Sequence, residues 1–496
     1  MTRKLLSLAF FFALSFTLFA QSDEELVKAT VQKNTIKGHI YFLASDELRG
    51  RETGSAEIDI AARYLSTTLQ RYGVAPVPGA REGYFQDVPL VQVLAPSSYS
   101  FSLGNTSLTS EQLIRVEGAG IQAKADIVYV GHGSEEDFAD KKLKGKIVIA
   151  LAGTESASDL RTVFMESEKK AERAKKAEAL GLVELHTESP ENWSQISRYL
   201  RGSSYQIQKP EEASSSSFFK LWVKDDSKTL AKSLLSKKRQ LADIAISETV
   251  RIPVPSKNVV GMVEGTDPEL KNEFVIYSAH YDHIGVGKAN AEGDSIFNGA
   301  RDNAIGVVTV LSVAESLAKN PTKRSALFIL FTAEEKGLWG SRYYAENPLL
   351  PLNQMVYCFN SDNGGYNDTS VATIVGLGRT TAEKHIKKAS ETFGLTAIDD
   401  PAGEQGLFDR SDNVNFAKKG IPAPTFSLGF TAFDAEIMKY YHQQADNPES
   451  VDYEYLEKFF RAYVLSSRLI ANDPETPFWV EGDKYYPVGV ELYKNK

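Results

Sequence analysis

The chain of 496 residues contains one cysteine, Cys358, and only seven histidines. A single thiol excludes an intrachain disulfide and any zinc site built on paired cysteines. There is no excess of positive charge: 56 Lys and Arg stand against 65 Asp and Glu, a formal charge of −9. Nucleic-acid binders usually show a basic face, so no nucleic-acid partner is expected. After residue 20 no apolar run is long enough to span a bilayer. What is present is an ordinary apolar share, 42%, which excludes wholesale disorder. The length exceeds the ~250–300 residues at which single cores stop growing, so more than one domain is expected. Any metal must be held by His, Asp and Glu.

Residues 1–4 are basic, and 5–20 (LLSLAFFFALSFTLFA) form an uncharged apolar run. The run is shorter than the roughly 20 residues a membrane helix needs. Ala20 before Gln21 gives a cleavage site, although Leu18 is larger than the small residue usual at that place. Residues 1–20 therefore read as a signal peptide, with an uncleaved anchor as the alternative. The mature protein is expected to be exported, periplasmic or secreted, with no membrane partner once the signal is removed.

Helical spacing marks 59–72, closed by Gly73, within a stretch of mixed helix and loop up to about 95. From 96 to 248 short strand-like runs (126–130, 146–151, 218–223, 242–246) flank a charged helix at 166–180, whose Lys/Glu/Arg run reads as a solvated face. Ser214 to Ser217 is a low-complexity loop. From about 250, apolar strands (274–279, 326–332, 355–360, 371–375, 424–428) alternate with helices (304–318, 380–393, 412–418, 453–470). This predicts an α/β fold: a mixed, largely parallel sheet sandwiched by helices, with an inserted smaller β-rich module. The expected divisions are 1–20, 21–95 as the first part of the main domain, 96–248 inserted, 249–475 as the core, and an aromatic-rich tail at 476–496.

Ligands of such sheets bind beyond the carboxyl ends of the strands. The strand at 274–279 runs into His280, Asp282 and His283, the strand at 326–332 into Glu334 and Glu335, and the strand at 355–360 into Asp362. Asp302 precedes a helix, and Tyr441-His442 shares a loop with Asp446. Each has a plainer reading alone: His280 as a polar strand end, Asp302 as an N-cap, Glu334-Glu335 as a solvated pair, Asp362 as a turn residue. Together, like charges at neighbouring strand ends are costly unless a cation neutralises them. A thiol-free His/Asp/Glu set suits Zn²⁺ or a similar ion. Two His and three carboxylates, one bridging, make two three-ligand sites, and the adjacent glutamates allow one ligand and one general base.

The motifs S-A-H-Y-D-H (278–283), A-R-D-N-A (300–304), T-A-E-E-K-G-L-W-G-S (332–341), N-S-D (360–362), R-S-D-N (410–413) and Y-H-Q-Q-A-D (441–446) occur in the order of the di-zinc exopeptidase family. That family holds bacterial leucyl aminopeptidases and glutamate carboxypeptidase, and this chain resembles it over most of 250–470. The leader F-L-A-S-D-E-L-R-G-R-E-T-G-S (42–55) resembles the start of larger members, and 96–248, with L-K-G-K-I-V-I (143–149), looks like a protease-associated domain. The resemblance implies two Zn²⁺ per chain: His280 and Asp362 on one, Glu335 and His442 on the other, Asp302 bridging. It implies Glu334 as general base, Tyr441 polarising the scissile carbonyl, Asp282 orienting His280 from outside the metal, Arg410 touching substrate, and a cis bond between Asp302 and Asn303.

This chain departs from the family in two places. Asp302 lies 22 residues beyond His280, through a Gly-rich segment expected as a loop near the site. Arg301 replaces an acid common in relatives. His283 reads as supporting a ligand from outside the metal, or the loop, and not as a ligand itself. His39, His132, His186 and His385 read as structural or exposed. The resemblance implies an exported aminopeptidase acting on peptides, with a homodimer possible. Its alternatives are a carboxypeptidase, a glutaminyl-cyclase-like enzyme or a catalytically dead receptor-like protein.

Overall fold

The computed structural model describes residues 21–494, apart from 119, 188, 190–192, 195, 198–199, 209–217 and 236–238. The apolar run at 5–20 and the Ser214 to Ser217 loop lie outside the described residues. The chain divides into two compact units, one of Met1–Asp87 with Lys257–Lys496 and one of Val88–Ser256. The second unit is wider at both ends than 96–248.

In the first unit seven strands form a mixed sheet: β1 (Arg251–Val263), β2 (Phe274–His280), β3 (Ser325–Phe331), β4 (Met355–Ser361), β5 (Val371–Val375), β6 (Thr396–Asp399) and β7 (Thr425–Leu428), in the spatial order β6-β5-β7-β4-β2-β3-β1. The centre is parallel: β2 pairs with β3 so that His280 faces Phe331, and with β4 on its other side. β1 runs antiparallel to β3, and β5 antiparallel to β7. All seven residues of β2 are buried, because both faces of the sheet are covered. Val275, Tyr277 and Ala279 enter one apolar cluster, while Phe274 and Ile276 enter another. That is the period-two alternation of a strand, applied to a central position with helices on both sides.

The helices follow their sequence signals. α1 (Asp23–Thr30) and α2 (Lys33–Leu43) are followed by α3 (Ala56–Tyr72), which starts where the Ser55 hydroxyl accepts the Ile58 N–H at 3.2 Å and stops at Gly73, whose φ of +86° suits glycine. With α4 (Gly306–Lys319) and α6 (Tyr453–Asn472), they bury Ile40, Leu65, Leu69, Leu311, Phe459 and Tyr463 in one cluster with Tyr277, Phe328 and Phe359 of the strands. Each such side chain contributes about 1.5–3 kcal/mol by leaving water. α5 (Glu383–Thr392) caps the β5–β6 end. On the other face the tail packs on the core: Trp479 is buried and its indole N–H donates to the Gly420 carbonyl. The N-terminal stretch is not all helix and loop, since Phe85–Val93 is a strand. Its apolar residues Phe85, Val88, Leu90, Val91 and Val93 do not alternate evenly, and Pro89 stands at its centre.

The second unit holds an eight-stranded sheet whose four central strands, Ile121–Tyr129, Ile147–Leu151, Gly181–His186 and Phe219–Lys224, run parallel. The charged helix spans Leu160–Lys176, and its charges are not all solvated. Lys170 is fully buried, donating to the carbonyls of Leu151 at 2.6 Å and Gly153 at 2.8 Å and pairing with buried Glu184. A lysine stem can follow an apolar surface inward when carbonyls receive its ammonium. No helix of the described residues is long and apolar enough to cross a membrane.

Candidate metal centre

The adjacent parallel strands β4, β2 and β3 end on the same edge, which is why residues from distant parts of the sequence meet there. His280 is the last residue of β2, Asp362 follows β4 directly, and Glu334 and Glu335 follow β3 after a turn at Ala333, where φ is +57°. Asp302 does not cap a helix as an isolated Asp would. It lies in an irregular turn, Ala300–Ile305, ahead of α4, and its bond to Asn303 is cis. His442, at φ +55°, comes from the loop after the short helix Ala435–Met438.

The two carboxylate oxygens of Asp302 face opposite ways. Oδ1 is 3.3 Å from Nε2 of His280, and Oδ2 is 3.1 Å from Nε2 of His442. His280 Nε2 also lies 3.3 Å from Asp362 Oδ1, and His442 Nε2 lies 3.3 Å from Glu335 Oε2. The five side chains thus form two His/carboxylate sets joined through Asp302. Oxygen and nitrogen atoms of His280, Glu334 and Asp362 come within 4.8 Å of one another, as do those of His283, Asp302 and Glu335. Of the two supporting places read for His283, the structure puts it against a candidate ligand. Its Nδ1 hydrogen-bonds Glu335 Oε1 at 2.8 Å, and its buried Nε2 has no partner.

Asp282 acts differently from the expectation. The Nδ1 atom of His280 is 3.1 Å from the backbone carbonyl of Asp282 and 3.8 Å from its carboxylate. The carboxylate instead accepts the N–H groups of Glu334 at 3.1 Å and Glu335 at 3.3 Å, and the Thr53 hydroxyl at 2.9 Å. The reason is the tight turn after β2, which folds the Asp282 carbonyl back onto the imidazole and leaves the side chain facing the β3 turn. Tyr441 stacks on the His442 ring with centroids 4.2 Å apart, and its hydroxyl is 3.4 Å from Nη2 of Arg410.

Electrostatically the site is short of positive charge. Burial and the neighbouring charges of Asp362, Glu335 and Asp412 push Glu334 well above the usual carboxylate range. Burial opposes ionisation of Asp302 too, yet hydrogen bonds from His280 and His442 and the charge of His283 hold it well below that range. Burial also works against charge on the imidazoles. Even so, the carboxylates raise His280 well above its ordinary value and His442 to about 10. Burial raises Tyr441, and the charge of Asp302 adds to it. Imidazoles driven to hold protons beside buried carboxylates fit a divalent cation, which would take the place of those protons. The N/O donor set, without thiolate, suits Zn²⁺.

Three residues here were given no role by the sequence. Asp446 accepts the backbone N–H groups of Arg301 (3.0 and 2.9 Å) and Asp302 (3.1 Å) and pairs with the Arg301 guanidinium at 3.0 Å. Arg301 thus turns its charge away from the ligands, onto Asp446, Ser450 and the face of Tyr440. Asp412 is buried, and burial, with the charges of Asp362 and Asp282 beside it, raises it to about 7. Arg51 is buried beside the segment that carries Asp302. Only the presence of Asp446 and Asp412 inside motifs could have singled them out.

Residues 258–466 match the model of peptidase family M28. Among curated proteins, the chain is 27% identical over 210 residues to aminopeptidase YwaD of Bacillus subtilis (41% of this chain, 42% of that protein). It is 24% identical over 243 residues to the probable leucine aminopeptidase 2 of Aspergillus fumigatus (43% and 42%). The matches thus span 42% of the length of either relative. Among solved structures, the aminopeptidase from Aneurinibacillus sp. strain AM-1 aligns with a TM-score of 0.58 at 21% identity, over 92% of this chain and 97% of that one, a likeness of fold. Residues 258–466 are thus similar to peptidase family M28, and the motifs that carry the likeness converge at one sheet edge.

Proposed function

We propose that this chain is a zinc-dependent metallo-aminopeptidase that removes N-terminal residues from peptides. The observation that carries the reading is the carboxylate of Asp302, set between His280 and His442 with one oxygen toward each. His280, Asp302 and Asp362 would hold one Zn²⁺, and Asp302, Glu335 and His442 a second. When bound, the metal supplies Lewis acidity, making water a better nucleophile and a carbonyl a better electrophile. Glu334 takes the proton from the attacking water and passes it to the departing amine. Its raised proton affinity, from burial and from Asp362 and Glu335, suits a group that must hold that proton between the two steps. The Tyr441 hydroxyl, kept protonated, donates to the oxygen that gains charge, and Arg410 steadies that hydroxyl.

We further propose that residues 1–20 direct export, that 88–256 form a protease-associated-like module, and that peptides are the substrates. The names of the B. subtilis and A. fumigatus relatives favour aminopeptidase over carboxypeptidase or cyclase activity. Aminoacyl reporter peptides offered to the mature protein, with chelator and then with added zinc, test the reading. Hydrolysis of free-amine and not N-blocked substrates is expected. Glu334→Gln should bind zinc as the wild type does and lose turnover by at least a hundredfold. Near-wild-type turnover in that variant would remove Glu334 from its role.

A further inference from the structure

The segment 49–53, in the leader, is shaped in a way that the peptidase fold alone does not require. Arg49, Gly50 and Arg51 stand in succession at φ of +44°, +69° and +48°. Two non-glycine residues in the left-handed region are costly, and such strain persists where the surroundings over-determine it. Gly50 has no room for a side chain: a Cβ there would lie 2.4 Å from the Phe297 carbonyl oxygen and 2.6 Å from that of Gly285. The segment is thereby pressed against the hairpin of Gly285–Val286 and Ile296–Phe297 that lies between His283 and Asp302.

What the strain accomplishes is seen at Arg51. The side chain is buried, and its guanidinium donates to the carbonyls of Tyr281 (3.0 Å), Leu43, Asn298 (2.6 Å) and Gly299 (3.1 Å). It fastens together the backbone just after His280 and the backbone just before Asp302. Burial lowers its proton affinity only to about 10, so the charge is kept at neutral pH, favoured by the field of Asp282 and Asp302. The Arg51 carbonyl accepts the His283 N–H at 3.3 Å. Two residues on, the Thr53 hydroxyl donates to Asp282, whose carboxylate holds the N–H groups of Glu334 and Glu335.

We propose that the segment 49–53 is a positioning element of the metal centre: Arg51 sets the spacing of the His280 and Asp302 backbones, and Thr53 sets the Glu334-Glu335 turn through Asp282. The proposal rests on the zinc reading above. The fork of arginine, not the charge alone, is needed, because the three N–H donors of a lysine ammonium cannot serve all four carbonyls.

Zinc affinity of the full mature chain, measured by competition with a chromophoric chelator, tests it in wild type, Arg51→Lys, Thr53→Val and Thr53→Ser. A loss of roughly 10-fold is expected for Arg51→Lys and for Thr53→Val, the size typical of partners that orient metal ligands. Thr53→Ser, which keeps the hydroxyl, should bind zinc as the wild type does. Should Arg51→Lys fail to fold, the two Thr53 variants decide the matter. Wild-type affinity in Thr53→Val overturns the proposal, and so does an equal loss in Thr53→Ser, which would mean that packing and not the hydrogen bond matters. A wild-type chain that binds no zinc overturns the metal reading itself, a result seen before any variant is compared.

Discussion

Replacing Asp446 by alanine removes one carboxylate from the wall of the site and leaves three donors without it. The Arg301 guanidinium, 3.0 Å away and buried, loses its counter-charge, and the N–H groups of Arg301 and Asp302 lose their acceptor. Breaking a buried ion pair costs about 3–5 kcal/mol, and a buried N–H without a partner about 1–3 kcal/mol. These overlap, so a total of about 5 kcal/mol is reasonable. At about 2 °C per kcal/mol for a domain this large, the melting temperature should fall by about 10 °C. The pair itself contributes little net stability, since burial raises Asp446 despite the pull of Arg301. Arg301→Met combined with Asp446→Ala should therefore lose well under the sum of the single changes, with a coupling of more than about 1 kcal/mol. Thermal melts followed by circular dichroism, in chelator so that metal does not mask the difference, measure all four corners of the cycle. A single Asp446→Ala loss under about 1 kcal/mol, or additive losses, would refute the reasoning.

Metal content should respond to His442: His442→Ala is expected to carry one zinc per chain where the wild type carries two, by elemental analysis after gel filtration, and two ions in the variant would put His283 in the place of His442. Acid should weaken the fold through His39, which sits between the hydroxyls of Tyr64 and Tyr72 and is lowered by burial to about 4. Its ordinary value in an unfolded chain is about 6.5, so the unfolded state binds the proton first. The contribution is complete above about 6.5 and is lost as pH falls toward 4, on the order of 3 kcal/mol. Unfolding midpoints taken between pH 7 and 4 should show this slope in wild type and a shallower one in His39→Gln; equal slopes would exclude the residue.

The strand ends were legible because central parallel strands are apolar on both faces and stop abruptly at polar residues. His280, Glu334, Glu335 and Asp362 each stand within four residues of such a stop. Asp302 and His442 were reachable only through motif order, since nothing local distinguishes them from a cap and a loop histidine. That the Asp282 carbonyl lies nearer the His280 ring than its carboxylate was not legible, because sequence cannot say whether a side chain or its own carbonyl faces a neighbouring ring. Lys170 looked solvated because periodicity counts charges and does not see the Leu151 and Gly153 carbonyls that receive one. Arg51 and Asp446 escaped because both act on backbone groups, which carry no residue-type signal.

The candidate ligands come from five separate segments, spread from His280 to His442, and none of these segments holds more than one of them. Among the described residues, the three-donor groups that could hold a zinc ion form only once β2, β3 and β4 are aligned. Loading must therefore follow folding, in whichever compartment the chain folds. It must also release the protons that the carboxylates keep on His280 and His442. Uptake of the metal should thus acidify a weakly buffered solution, and the folded chain should fill more slowly as the medium becomes more acidic.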